Sequence, residues 1–186
     1  AIAIGKSERT SSKAIDWVAH KLLNESGVSR IYEVSIPKLR SFMHLDTVFS
    51  IIDRDLGIAY RGAFHSPASS VRLITKCNTT TDRRPFYEIV ADELPGFKCI
   101  FTAGTEDHHA SREQWSSGAN LFAVAPRKVL AYQRNEATYR ALIKEGVEVL
   151  QVQDSELVRG RGGPRCLTLP LHRKHITRVN RESRHD

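Results

Sequence analysis

Long apolar runs are missing from this 186-residue chain. No window approaches the roughly 18 to 20 consecutive apolar residues that a membrane span needs, and the amino terminus lacks the basic, apolar, small-residue order of a secretion signal. A soluble, cytoplasmic protein without membrane contact is expected. Cysteine is scarce: Cys77, Cys99 and Cys166 are odd in number and far apart, with no Cys-x-x-Cys, which excludes a disulfide scaffold and a zinc finger. One thiol is therefore a candidate for reactivity, and Cys77 and Cys99 read as buried structural residues. Glycine and proline, 11 and 7 in number, are too few for collagen or a low-complexity chain. With 40% hydrophobic residues, the composition is that of about one globular domain.

A basic helix or aromatic-interleaved stripe is also lacking, although the net charge is +7. From Arg159 onward stand eight basic residues against Glu182 and Asp186, and the remainder is nearly neutral. This asymmetry reads as a solvated, flexible tail over residues 172–186 and argues against nucleic-acid binding. His108-His109 and His172-x-x-His175 lack a completing cysteine or carboxylate cluster, so no metal site is expected. Trp17 and Trp115 read as packing residues rather than stacking platforms.

The pattern that is present is α/β. Ala1 to Gly5 looks like a strand already in progress, as though the chain began inside a domain. Ile15, Val18, Ala19, Leu22 and Leu23 form an apolar stripe after Ser11 and Ser12 as N-caps and before Gly27 as a stop, predicting an amphipathic helix. A strand is expected at Ile31–Ser35, then a hairpin of Thr47–Ile52 and Ile58–Tyr60, a helix Pro85–Glu93 and a strand Lys98–Thr102. The order repeats as strands Asn120–Ala125 and Val129–Tyr132, helix Glu136–Glu145 and strand Val147–Val152, and Leu167–Leu171 could begin another unit. Repeated hairpin, helix and strand units imply part of a larger ring or array, since each buries its faces on its neighbours.

Three segments carry candidate chemistry. His44 and Asp46 stand two apart at the mouth of an apolar strand, which places them on one face; on spacing alone a surface pair at a strand edge is the favoured reading. The run Arg159-Gly160-Arg161-Gly162-Gly163-Pro164-Arg165-Cys166 combines a turn that permits close backbone approach with a cysteine among cations that favour thiolate. It is not a phosphate loop, because no Gly-Lys-Ser/Thr follows. Arg9, in a strand-to-helix loop, could hold a carboxylate in a bidentate pair or be solvated.

Taken in order, Ser-Glu-Arg-Thr-Ser (7–11), Met-His-Leu-Asp-Thr-Val-Phe (43–49), Arg-Glu-Gln-Trp-x-x-Gly-x-Asn (112–120), Tyr-x-Arg-Asn (132–135) and Arg-Gly-Arg-Gly-Gly-Pro-Arg-Cys (159–166) resemble the carboxyl-terminal half of arginine deiminase. The resemblance covers residues 1–171 and implies an incomplete pentein α/β propeller of ββαβ-like units. It implies hydrolysis of L-arginine to L-citrulline and ammonia with no cofactor. Cys166 is then the nucleophile, His44 the acid and base, and Asp46 the holder of the guanidinium. Arg9 grips the substrate α-carboxylate, and Arg161 shapes or gates the site. The family's Glu-Gly-Gly-Asp motif, an earlier acidic ligand, a second carboxylate-binding arginine and a helical insertion are absent from this sequence. The expectation is that the chain works with a complementary amino-terminal segment, within a homo-oligomer, and has little activity alone. A non-catalytic arginine-binding remnant is the alternative. Hydrolysis of methylated arginine or agmatine is a further rival, and Arg9 as a carboxylate partner speaks against agmatine.

Overall fold

A computed structural model describes residues 1–172; the expected basic tail falls, from residue 173, outside the described residues. The chain forms a mixed α/β fold of three sheets. The first contains β1 (Ile2–Lys6), β2 (Ile31–Ser35), β5 (Ser70–Ile74) and β6 (Thr79–Asp82) in that order. The second is β3 (Phe49–Asp53), β4 (Leu56–Ala59) and β7 (Lys98–Phe101). The third is β8 (Phe122–Ala125), β9 (Lys128–Tyr132) and β10 (Glu148–Val152). Among the described residues no sheet closes on itself. The helices are α1 (Ser12–Glu25), the single turn α2 (Arg61–Phe64), α3 (Phe86–Glu93), α4 (Asp107–Trp115) and α5 (Glu136–Lys144).

The repeated unit is real. In the second and third sheets an antiparallel hairpin is followed by a helix and a strand parallel to the hairpin's second member, β4 with β7 and β9 with β10. Both hairpins carry a register shift, between Ile51 and Asp53 and between Ala123 and Ala125. The first sheet repeats the later part of that unit, with β1 parallel to β2 across α1. Here β1 is an edge, whereas its counterparts β4 and β9 are central.

Sequence patterning explains these elements. The Ser11 hydroxyl caps α1 by accepting from Ala14 N at 3.3 Å. Ile15, Ala19 and Leu23 are buried on its inner face, and the last two cluster with Ile31. The second sheet is apolar on both faces because it lies between two cores. Phe49 and Ala59 face Tyr32, Val34, Val71, Phe86 and Ile89, while Ile52, Leu56 and Ile58 face Leu121, Val129, Leu142 and Val147. Each such buried side chain contributes roughly 1.5–3 kcal/mol.

Several expectations are corrected. The strand expected from Thr47 starts at Phe49, because Leu45–Thr47 is a 3-10 turn. Leu167–Leu171 forms no strand, and its three leucines are exposed. Pattern reading passed over β5, β6 and α4. The strand β6 is an exposed Thr-Thr-Thr-Asp edge, and α4, Asp-His-His-Ala-Ser-Arg-Glu-Gln-Trp, has no apolar stripe. It is held by polar contacts that no periodicity reveals. Among the described residues, no helix is long and apolar enough to cross a membrane.

Candidate active site

The loops after β1, before β3, after α4 and after β10 meet at one end of the sheets. Their meeting is set by backbone contact. At Gly5 an added Cβ would lie 2.9 Å from Leu45 Cβ, so glycine lets the loop carrying His44 and Asp46 sit on β1. The Ser7 hydroxyl donates to Met43 O at 2.6 Å. Thr47 closes the turn, donating to His44 O from both its amide and its hydroxyl. From α4, Gln114 Nε2 donates to Thr47 O at 2.8 Å. His44 and Asp46 therefore lie in a loop and a turn rather than on one face of a strand.

Of the residues singled out from sequence, Cys166 and Asp46 are brought together: Sγ lies 3.8 Å from Oδ2, although the two are 120 residues apart. Asp46 Oδ2 also lies 3.8 Å from Arg165 Nε. Its Oδ1 is buried with no hydrogen-bond partner among the described residues. Arg9 reaches the same loop, with Nη2 3.7 Å from Met43 Sδ, next to His44. The His44 residue is exposed.

The arginines around Cys166 do not act as expected. Arg161 stacks on the Trp115 ring, its guanidinium carbon 3.2 Å from the centroid, and donates to Trp115 O at 3.1 Å. Arg159 pairs with Glu156 at 3.0 Å. The Cys166 thiol is held above its ordinary range, by desolvation first and by the Asp46 charge second. Desolvation, with Arg40 adding repulsion, lowers Arg161. Trp115 is 58% exposed and Trp17 65%, so neither is the packing residue expected. Cys77 is exposed, whereas burial pushes the Cys99 thiol up to about 12.

Sequence reasoning gave no role to the polar residues that build this site. Asn120, Gln114 and Glu113 are buried. The Glu113 carboxylate accepts from Ala137 N, Thr138 N and Thr138 Oγ1 at 2.6–2.8 Å and so caps α5. Asn135 Nδ2 donates to Ser116 O, and Tyr132 Oη donates to Gly162 O at 3.0 Å. All five belong to the two motifs 112–120 and 132–135, and that position was their only signal.

Clefts of about 590 Å³ beside Lys6, Ile36 and Lys38 and about 240 Å³ beside Tyr60, Gly62 and Ser111 include neither Cys166 nor Asp46 in their walls. Glu106 does join His108 and His109, their ligand atoms within 4.8 Å of one another, which corrects the expectation that no carboxylate completes that group. Glu106 is engaged by Arg140 at 2.9 Å.

Residues 1–173 match the family model of arginine deiminase. The chain belongs to the arginine deiminase family. It is 41% identical to arginine deiminase of Mycoplasma capricolum, an alignment covering 97% of this chain and 46% of that protein. With arginine deiminase of Listeria monocytogenes it shares 37%, covering 94% and 44%. It thus spans about half the length of the curated relatives it matches. Among solved structures, it resembles SxtG, an amidinotransferase of Microseira wollei, with a TM-score of 0.62 at 17% identity over 94% of this chain and 45% of that one. It also resembles ArgZ, an arginine dihydrolase of Cyanobacteria, with a TM-score of 0.63 at 16% identity over 95% and 23%. These two likenesses show a shared fold.

Proposed function

We propose that this chain carries the nucleophile, the acid and base, and one guanidinium-binding carboxylate for hydrolysis of L-arginine to L-citrulline and ammonia. The observation that supports this best is the Asp46 carboxylate, one oxygen buried without a partner and the other 3.8 Å from the Cys166 sulfur. A guanidinium is a planar cation that water attacks poorly, and its fork matches a carboxylate. Held by Asp46, it neutralises the charge that adds to burial in keeping the thiol protonated, so the substrate promotes thiolate formation.

The Cys166 thiolate then attacks the central guanidinium carbon, forming a C–S bond. His44 protonates the departing nitrogen, the C–N bond breaks and ammonia leaves a covalent thiouronium. His44 next takes a proton from water, whose oxygen attacks the same carbon, and the C–S bond breaks to give citrulline. Arg9 holds the substrate α-carboxylate, and Arg161 moves between Trp115 and the site mouth. No cofactor or metal takes part. The open β1 edge and the absence of Cys166 from the walls of either cleft fit a site completed by a complementary amino-terminal segment. The assembled protein is a pentein propeller and a homo-oligomer.

Citrulline formation tests this reading. The chain alone is expected to show little turnover, and addition of the amino-terminal half of an arginine deiminase to restore it, with Cys166→Ala abolishing the restored activity. Turnover by the chain alone, lost in Cys166→Ala, would overturn the need for a second segment. Arginine binding without turnover in the complemented pair would establish the non-catalytic alternative.

A further inference from the structure

Cys166 and Asp46 share no sheet, and their separation is not set by any strand register. One side chain bonds to the main chain of both. Asn120, 0% exposed, donates from Nδ2 to Asp46 O at 2.7 Å and accepts the Cys166 amide at Oδ1, 3.2 Å. Its own position is rigid. Its amide donates to Ser117 O at 3.0 Å, the preceding Ala119 O accepts from Ser50 Oγ at 2.7 Å, and the following Leu121 is in the core between the second and third sheets. The glycine-rich loop is shaped around it: a Cβ at Gly163 would stand 2.7 Å from Asn120 Oδ1 and 2.8 Å from its Cβ.

We infer that Asn120 is a positioning residue that sets the distance between the guanidinium-holding carboxylate and the nucleophile. An amide suits this place because it presents a donor and an acceptor at fixed separation without charge. An aspartate would lack the amide donor, and an apolar residue would leave the part-buried Asp46 carbonyl and Cys166 amide without this partner, each omission loosening one of the two segments. The inference rests on the reading of Asp46 and Cys166 as a functional pair, and it deepens that reading. Apart from that main-chain bond, the Gly163 backbone and the Asn120 side chain both act on the thiol to lower it, opposing burial and Asp46. The charged groups around the sulfur are Asp46 and, against Asp46, Arg165.

A double-mutant cycle on the full chain tests it. The rate of Cys166 alkylation by iodoacetamide is followed against pH by peptide mass spectrometry, with exposed Cys77 as internal reference. In the parent, Asp46→Asn removes a negative charge beside the sulfur and lowers the alkylation midpoint. In an Asn120→Ala background that lowering is expected to shrink by at least about half, because the pair is no longer held at its distance. Val129→Ala, a buried change away from these bonds, should reduce thermal stability and leave the full lowering in place. Asn120→Asp keeps the size and the acceptor and serves where Asn120→Ala does not fold; it should shrink the lowering too. Equal lowering in the parent and Asn120 backgrounds would overturn the inference. No lowering by Asp46→Asn in the parent would instead show that the pair itself is misread, and both readings would fall.

Discussion

At Cys166 the charge of Asp46 opposes the thiolate, so Asp46→Asn has two opposite consequences. It should speed alkylation of Cys166 at neutral pH, because loss of a neighbouring negative charge lowers a thiol's pKa. It should also abolish citrulline formation in the complemented protein, since the guanidinium loses its partner. Measuring both rates on one preparation checks the pair. Arg161 poses a different balance. Its φ of +66° and ψ of 155° lie in a region nearly confined to glycine, a strain of order 1–3 kcal/mol, set against about 0.5–1 kcal/mol from stacking on Trp115. Arg161→Gly is therefore expected to leave thermal stability equal or slightly higher while changing Trp115 fluorescence. A clear loss of stability would show that the stack outweighs the strain. The residue types at 9, 44, 46, 161 and 166 were readable from motifs, and their chemistry followed from charge and nucleophilicity. The state of the thiol was not readable, because it depends first on burial and then on Asp46, which the fold brings beside it from 120 residues away.

Among the elements, α4 shows how polar burial replaces an apolar stripe. Glu113 is 1% exposed and satisfies donors in the first turn of α5, where a negative charge also complements the helix dipole. Glu113→Ala leaves Ala137 N and Thr138 N without that partner and is expected to cost about 3 kcal/mol, a fall of several degrees in thermal unfolding. A shift of under one degree would mean that water replaces the carboxylate fully. Gly163→Ala pushes a methyl into Asn120 and should cost about 1–3 kcal/mol by overpacking. Helices α1, α3 and α5 and the strands of the two ββαβ units were legible because each has an apolar face of the right period. Strand β6 and helix α4 were not, since a polar Thr-Thr-Thr-Asp edge and a helix fixed by carboxylate and amide contacts carry no such period.

For the molecule as a whole, the first sheet leaves β1 as an edge where the repeat has a central strand. Open edges with apolar neighbours promote self-pairing, so the chain is expected to associate with rising concentration in sedimentation velocity experiments. Ala3→Lys, an exposed position on that edge, should reduce the association, and the complementary amino-terminal half should suppress it. Association unchanged by either would place the contact elsewhere, and the exposed Leu167, Leu169 and Leu171 would be the next surface to alter.

The sequence by itself determined the α/β class and the repeated unit, and it named the candidate groups of the site. Periodicity and residue chemistry are local properties, and five ordered motifs carry a family's signature wherever they fold. Only the tertiary structure decided the rest. It turned His44 and Asp46 out of a strand, exposed Cys77 and both tryptophans, and drew Arg161 onto Trp115. It also joined residues 46, 120 and 166 through one buried amide. Those outcomes depend on contacts between segments up to 120 residues apart, whose distances and hydrogen bonds no window of sequence contains.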